Sequence, residues 1–171
     1  MSVVLIGYRG CGKTTIGRKL ADRLWQKCVD TDELVVKKAG KSIKEIFEQE
    51  GEAGFRAIEA GVVREALKLE DHVIALGGGA LDREENRQAV KASGHRVIYL
   101  KCDPDELLKR IEADPATSET RPNLTNLGGG LEEIKSMLDL REPVYRSVMT
   151  GELEVTYLSP DEALPYIVRL M

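Results

Sequence analysis

The sequence predicts an α/β fold, a mainly parallel five-stranded sheet with helices on both faces. Two observations carry this. Short apolar runs alternate with longer segments of helical periodicity, the sequence form of repeated βαβ units. The first apolar run, Val3–Ile6, passes directly into a glycine-rich turn that opens a helix.

The elements follow in order. Val3–Ile6 is β-branched and apolar, bounded by Gly7, and reads as a buried strand. Residues 12–25 place Ile16, Leu20, Ala21 and Leu24 on one helical face. Residues 28–30 form a short second run, followed by a helix over 31–38. Ser42 and Glu45 make a capping box ahead of Ile43, Ile46 and Phe47, and a further helix spans 52–69. Residues 72–76 are the next strand, closed by Gly77-Gly78-Gly79, and a polar helix begins at Asp82 or Arg83 and ends at Ser93. Residues 96–100 alternate into a strand, and Pro104 in a first turn starts a helix through Ile111. Residues 113–130 carry Pro115, Pro122 and Gly128-Gly129-Gly130 with little periodicity, which predicts a long lid loop. A helix over 131–147 and a strand over 153–158 follow. Ser159 and Glu162 form a second capping box that opens the last helix.

The chain has 171 residues, the length of one domain, here taken as 1–171. Its 29 acidic against 25 basic residues give a formal net charge of −4, against the basic surplus of a general nucleic-acid binder. No apolar run reaches the roughly 18 residues of a membrane span, and the first residues lack the pattern of a secretory signal. Cys11, Cys28 and Cys102 form no CxxC pair, which suits a reducing compartment. The expectation is a cytoplasmic protein without nucleic-acid or membrane partners.

Gly7-Tyr8-Arg9-Gly10-Cys11-Gly12-Lys13-Thr14 matches G-x-x-x-x-G-K-[ST] between a strand and a helix, the context the motif needs. Glycines let successive N–H groups turn inward towards phosphate oxygens, and the helix N-terminus adds partial positive charge. Lys13 then reaches the β- and γ-phosphates and Thr14 coordinates Mg²⁺. Cys11 reads as a small residue that fits the turn, since no resolving cysteine stands nearby in sequence.

The loop alone leaves the class of nucleotide-binding protein open. No N-K-x-D motif reads guanine, and the 73–76 run ends in glycines instead of an acidic residue. The carboxylates that organise Mg²⁺ must stand elsewhere. Asp30 and Asp32 lie at the end of the second strand, on the side where open α/β sheets bind ligands. As alternate residues of an extended segment they share a face, although Asp30 or Thr31 also suits a helix cap.

Together, Gly7–Thr14, Asp30-Thr31-Asp32, Phe55-Arg56-x-x-Glu59, Leu76-Gly77-Gly78-Gly79-Ala80, Arg121-Pro122 and Arg141-Glu142-Pro143-Val144-Tyr145 resemble the shikimate kinase pattern. The six motifs run in order over residues 7–145; only the first is specific alone, and jointly they are specific. The resemblance implies the P-loop nucleoside monophosphate kinase type of fold, strand order 2-3-1-4-5, with substrate-binding helices over 31–60 and a lid over 112–130. It implies MgATP-dependent phosphorylation of the 3-hydroxyl of shikimate, in aromatic amino-acid biosynthesis, by a monomer.

The implied roles follow residue by residue. Arg56 and Arg141 clamp the substrate carboxylate, a task for a bidentate fork. Glu59, three residues after Arg56, holds that guanidinium. Asp32 meets the ring hydroxyls and accepts or orients the proton of the attacking one, and Gly77, Gly78 and Gly79 let backbone approach the ring. Gly10, Cys11, Gly12, Lys13, Thr14 and Thr15 hold the ATP phosphates, and Thr14 with Asp30 supports Mg²⁺. Arg121 arrives from the lid with catalytic charge, and Arg110 or Lys109 stacks on adenine beside the Ser159-Pro160 turn. Two other readings are a gluconate kinase-like or nucleotide kinase and a non-catalytic nucleotide-binding module. The arginine pair and triple glycine disfavour the first; the presence of Lys13, Asp32 and a lid arginine disfavours the second.

Overall fold

Fully buried β-branched and aliphatic residues make β1 (Val3–Ile6) the centre of the sheet. β1 pairs in parallel with β3 (His72–Ala75) on one side and β4 (Arg96–Lys101) on the other. β2 (Lys27–Asp30) and β5 (Gly151–Glu154) close the two edges, giving the five-stranded parallel order β2-β3-β1-β4-β5. The computed structural model describes residues 1–114 and 128–171. The expected fold class and strand order are observed.

Helices cover both faces. On one, α1 (Lys13–Leu24), α5 (Pro104–Ala113) and α7 (Pro160–Leu170) pack Ile16, Leu20, Leu107 and Ile167 against Leu5, Val73 and Ile98. On the other, α3 (Ile43–Ala66), α4 (Glu84–Ala92) and α6 (Leu131–Val148) bring Val63, Val90 and Tyr145 against Val4, Ile74 and Tyr99. α2 (Thr31–Ala39) packs with α3 in a smaller cluster around Val35, Ile46 and Phe55. Few aromatics suffice because the strands pack branched aliphatic side chains on both faces.

Three boundaries depart from the sequence reading. The two helices expected around 43–69 abut without a loop and end at Ala66. Gly51 turns the chain between them at φ 70°, a left-handed conformation that glycine adopts without Cβ strain. The last strand is Gly151–Glu154, not 153–158, because β4 fixes its register from Ile98↔Gly151 to Lys101↔Glu154. Beyond it the Val155 and Thr156 carbonyls accept from Arg110 in place of a neighbouring strand. Asp82 ends a 3₁₀ turn, Ala80–Asp82, so that α4 starts at Glu84.

The loops at the carboxyl ends of β1, β2 and β3 are tied together. The Gly77 N–H donates to Thr31 Oγ1 at 2.9 Å, joining the β3 loop to the first residue of α2, and Thr31 is fully buried. Thr31→Val keeps the shape and removes the acceptor. It should cost about 1–2 kcal/mol in denaturant unfolding, with Thr31→Ser close to the parent protein.

Candidate active site

After β1 the chain curls back on itself and enters α1. Gly12 is the N-cap at φ 102°, and no side chain caps α1, so its first N–H groups remain for a ligand. Lys13 is buried; its Nζ donates to the carbonyls of Gly7 at 2.7 Å and Tyr8 at 3.0 Å. Gly10, Cys11, Gly12, Lys13, Thr14 and Thr15 all line one cleft of about 1440 Å³, mouth included.

The far end of that cleft is formed by Arg110, Leu158, Ser159 and Pro160. Arg110 is anchored there: Nε donates to Glu106 at 3.0 Å and Nη1 to the Cys11 carbonyl at 3.3 Å. Lys109 is 80% exposed and is not part of the cleft lining. Of the two residues left open by the sequence, Arg110 is the one that lines the cleft.

Asp30 resolves the choice between helix cap and site residue by doing both. Its Oδ1 accepts from the Asp32 and Glu33 N–H groups at 2.8 and 3.4 Å, capping α2. Its Oδ2 accepts from Thr14 Oγ1 at 2.5 Å. Asp32 belongs to the first turn of α2, not to an extended segment, so alternation along a strand is not what brings the two carboxylates together. A hydroxyl beside a carboxylate under a cradle of N–H groups fits MgATP. Among the described residues no three His, Cys, Asp or Glu gather to hold a metal.

A second cavity of about 470 Å³, mouth included, adjoins the first. It holds Arg56 and Glu59 from α3, Arg141 from α6, and Gly78 and Gly79 from the β3 loop; Arg9 and Asp32 line both cavities. Arg56 Nη1 donates to Glu59 Oε1 at 2.7 Å, and its guanidinium lies 5.2 Å from the Phe55 ring centroid. Burial pushes the Glu59 carboxyl up, while Arg56 pulls it the other way.

Glycine is required where these groups converge. A Cβ on Gly79 would stand 2.6 Å from the Nη2 atoms of both Arg56 and Arg141. One on Gly77 would stand 2.7 Å from Asp32 Oδ1. Two desolvated guanidiniums, a carboxylate and a close-approaching backbone make a pocket for a small, anionic, hydroxylated ring.

A family model described as shikimate kinase matches residues 9–171. The chain belongs to the shikimate kinase family. The shikimate kinase of Thermobifida fusca is 42% identical, over 97% of this chain and 92% of that protein. The shikimate kinase of Rhodopirellula baltica is 39% identical, over 96% and 87% respectively. A solved structure of shikimate kinase from Acinetobacter baumannii in complex with shikimate superposes with a TM-score of 0.91, at 32% identity, covering 99% of this chain and 91% of that one. As a shikimate kinase family member the chain is an ATP-dependent phosphotransferase that works with Mg²⁺. No helix among the described residues is long and apolar enough to cross a membrane.

Of the residues predicted for the shikimate kinase site, Arg121 lies outside the described residues, as does most of the lid. Every other one lines one of the two cavities except Gly77, which abuts Asp32, and Lys109, the alternative to Arg110. Four neighbours escaped sequence reasoning. Arg9 pairs with the buried Glu133 of α6 at 3.6 Å and stands between the cavities. Tyr145 Oη donates to the Gly78 carbonyl at 2.7 Å and fixes the glycine loop. Asp82 meets both clamp arginines. Arg9 and Tyr145 sit inside motifs already singled out, so their positions alone could have flagged them; Asp82 and Glu133 carry no pattern.

Gly79→Ala tests the packing of the pocket. Gly79 sits at φ −102°, so alanine brings no backbone strain there and only the two guanidiniums must yield. The KM for the acid substrate should rise about tenfold or more, a loss of about 1.4 kcal/mol, with the melting temperature near that of the parent protein. Unchanged acceptor kinetics would place the arginine pair outside the binding site.

Proposed function

We propose that this chain is a cytoplasmic shikimate kinase that transfers the γ-phosphate of MgATP to the 3-hydroxyl of shikimate. The observation that carries the reading is the convergence of Arg56 and Arg141 on Gly79, in a cavity that shares Arg9 and Asp32 with the phosphate-loop cleft. A carboxylated ring anchored on the arginines has its hydroxyls towards Asp32, at the border with the phosphates.

In this reading the attacking hydroxyl oxygen bonds to the γ-phosphorus as the bond to the β–γ bridging oxygen breaks and ADP departs. Asp32 accepts or orients the hydroxyl proton. Glu59 keeps Arg56 in register, and Tyr145 keeps the Gly78 carbonyl from drifting. Lys13 turns its ammonium from the loop carbonyls to the transferred phosphoryl group, where charge spreads over the equatorial oxygens. Thr14 and Asp30 hold the place of Mg²⁺, which when bound neutralises phosphate charge. Arg121 supplies further cationic charge from the lid, and Arg110 stacks on adenine.

The experiment is a coupled ADP-release assay with MgATP and shikimate, gluconate, a panel of nucleoside monophosphates, or no acceptor. Turnover with shikimate alone is expected. Turnover only with gluconate or a nucleotide would overturn the clamp, and ATP binding without any turnover would overturn the enzyme reading. Two variants locate the roles. Lys13→Ala should reduce kcat by about a hundredfold or more while the protein still unfolds cooperatively. Arg141→Ala should raise the KM for shikimate far more than that for ATP; equal increases would place Arg141 in the scaffold or lid.

A further inference from the structure

The clamp already holds a carboxylate. Asp82 Oδ1 accepts from Arg141 Nε at 3.1 Å and Oδ2 from Arg141 Nη2 at 2.9 Å, a bidentate pair. The same Oδ2 lies 3.8 Å from Arg56 Nη2. The two Nη2 atoms that Oδ2 bridges are the two that converge on Gly79, where a ligand carboxylate would engage both arginines.

The partners differ in their freedom to move. The Arg141 and Arg56 side chains are 4% and 12% exposed, whereas that of Asp82 is 38% exposed. The Asp82 backbone is fixed independently of its carboxylate: its N–H donates to the Gly79 carbonyl at 3.0 Å and its carbonyl accepts from Arg87 at 3.0 Å. The side chain can therefore rotate out without moving the glycine loop. A buried guanidinium without a counter-charge is costly, so Arg141 needs an anion when no ligand is present. Once a ligand carboxylate enters, Asp32, Glu59, Asp82 and the ligand crowd two guanidiniums, because Arg9 is engaged by Glu133. Glu59 is buried and Asp32 faces the ring, which leaves Asp82 as the carboxylate able to depart.

We propose that Asp82 is a resident counter-carboxylate that occupies the Arg56–Arg141 clamp in the free protein and gives way to the carboxylate of the substrate. It lowers affinity for acids by self-competition, and it keeps the arginine pair neutralised and preorganised between turnovers. The proposal rests on the functional reading above, since it takes the arginine pair as the site of the shikimate carboxylate.

The test is binding, measured by titration calorimetry at pH 7 with shikimate, with its uncharged carboxamide and with ATP. Asp82→Asn keeps size and removes charge. Self-competition multiplies apparent affinity by the fraction of open clamp, so removing it should lower the Kd for shikimate about fivefold or more. The Kd for the carboxamide should not fall in step, since a neutral group gains nothing from a vacated guanidinium pair. ATP binding reports that the variant is folded, and Asp82→Ser repeats the measurement where Asp82→Asn fails that check. Unchanged or weaker shikimate binding in a variant that binds ATP would overturn the proposal and make Asp82 a positioning residue for Arg141. Equal tightening for acid and carboxamide would overturn it too, by showing only a widened pocket. A parent protein that binds ATP but not shikimate would instead overturn the functional reading.

Discussion

The junction between β2 and α2 is the point on which the site depends. Within three residues, Asp30 caps α2 and accepts from Thr14, Thr31 accepts from Gly77, and Asp32 reaches the border of both cavities. One short corner thus ties the phosphate loop after β1 to the glycine loop after β3. The order β2-β3-β1 makes this possible by setting those three strand ends side by side. Parallel strands also send every carboxyl end to one edge of the sheet, so ligands meet there.

Charge explains what the corner cannot. The acid pocket holds its cations desolvated, and each is answered by a carboxylate: Glu59 for Arg56, Asp82 for Arg141, Glu133 for Arg9. Removing water strengthens each attraction and raises the cost of an unanswered charge. The raised Glu59 carboxyl records that tension: burial favours its neutral form, while Arg56 favours the charged one. A pocket balanced in this way can discriminate between acids and neutral polyols, since a neutral ligand offers no replacement for a displaced counter-charge.

Much of this was legible in the sequence. Val3–Ile6 followed by the phosphate loop placed the first strand and helix, and alternation gave the parallel sheet. The motif set located Lys13, Asp32, Arg56, Gly79 and Arg141, all of which line the two cavities. What failed was decided by contacts between distant segments. The last strand sits two residues earlier than its apolar run because pairing with β4 outweighs the hydrophobicity of Val155 and Leu158. The kink at Gly51 is a single dihedral choice that no periodicity encodes. Asp82 follows Gly79 by three residues, an ordinary acidic position until the 3₁₀ turn aims it at Arg141, 59 residues away in sequence.

The two cavities also share a wall, and that sharing is a chemical constraint. Phosphoryl transfer asks little covalent work of the protein; it asks that donor and acceptor be held in line and dry. Here Arg9 and Asp32 belong to both cavities, so in the proposed reading donor and acceptor would meet common side chains instead of two independent sites. Arg9 is in turn held by Glu133 in the first turn of α6, the helix that also carries Arg141 and Tyr145. A shift of α6 would therefore move the clamp, the glycine loop and the shared arginine together. One helix, packed against one strand-end loop, thus carries contacts to both cavities.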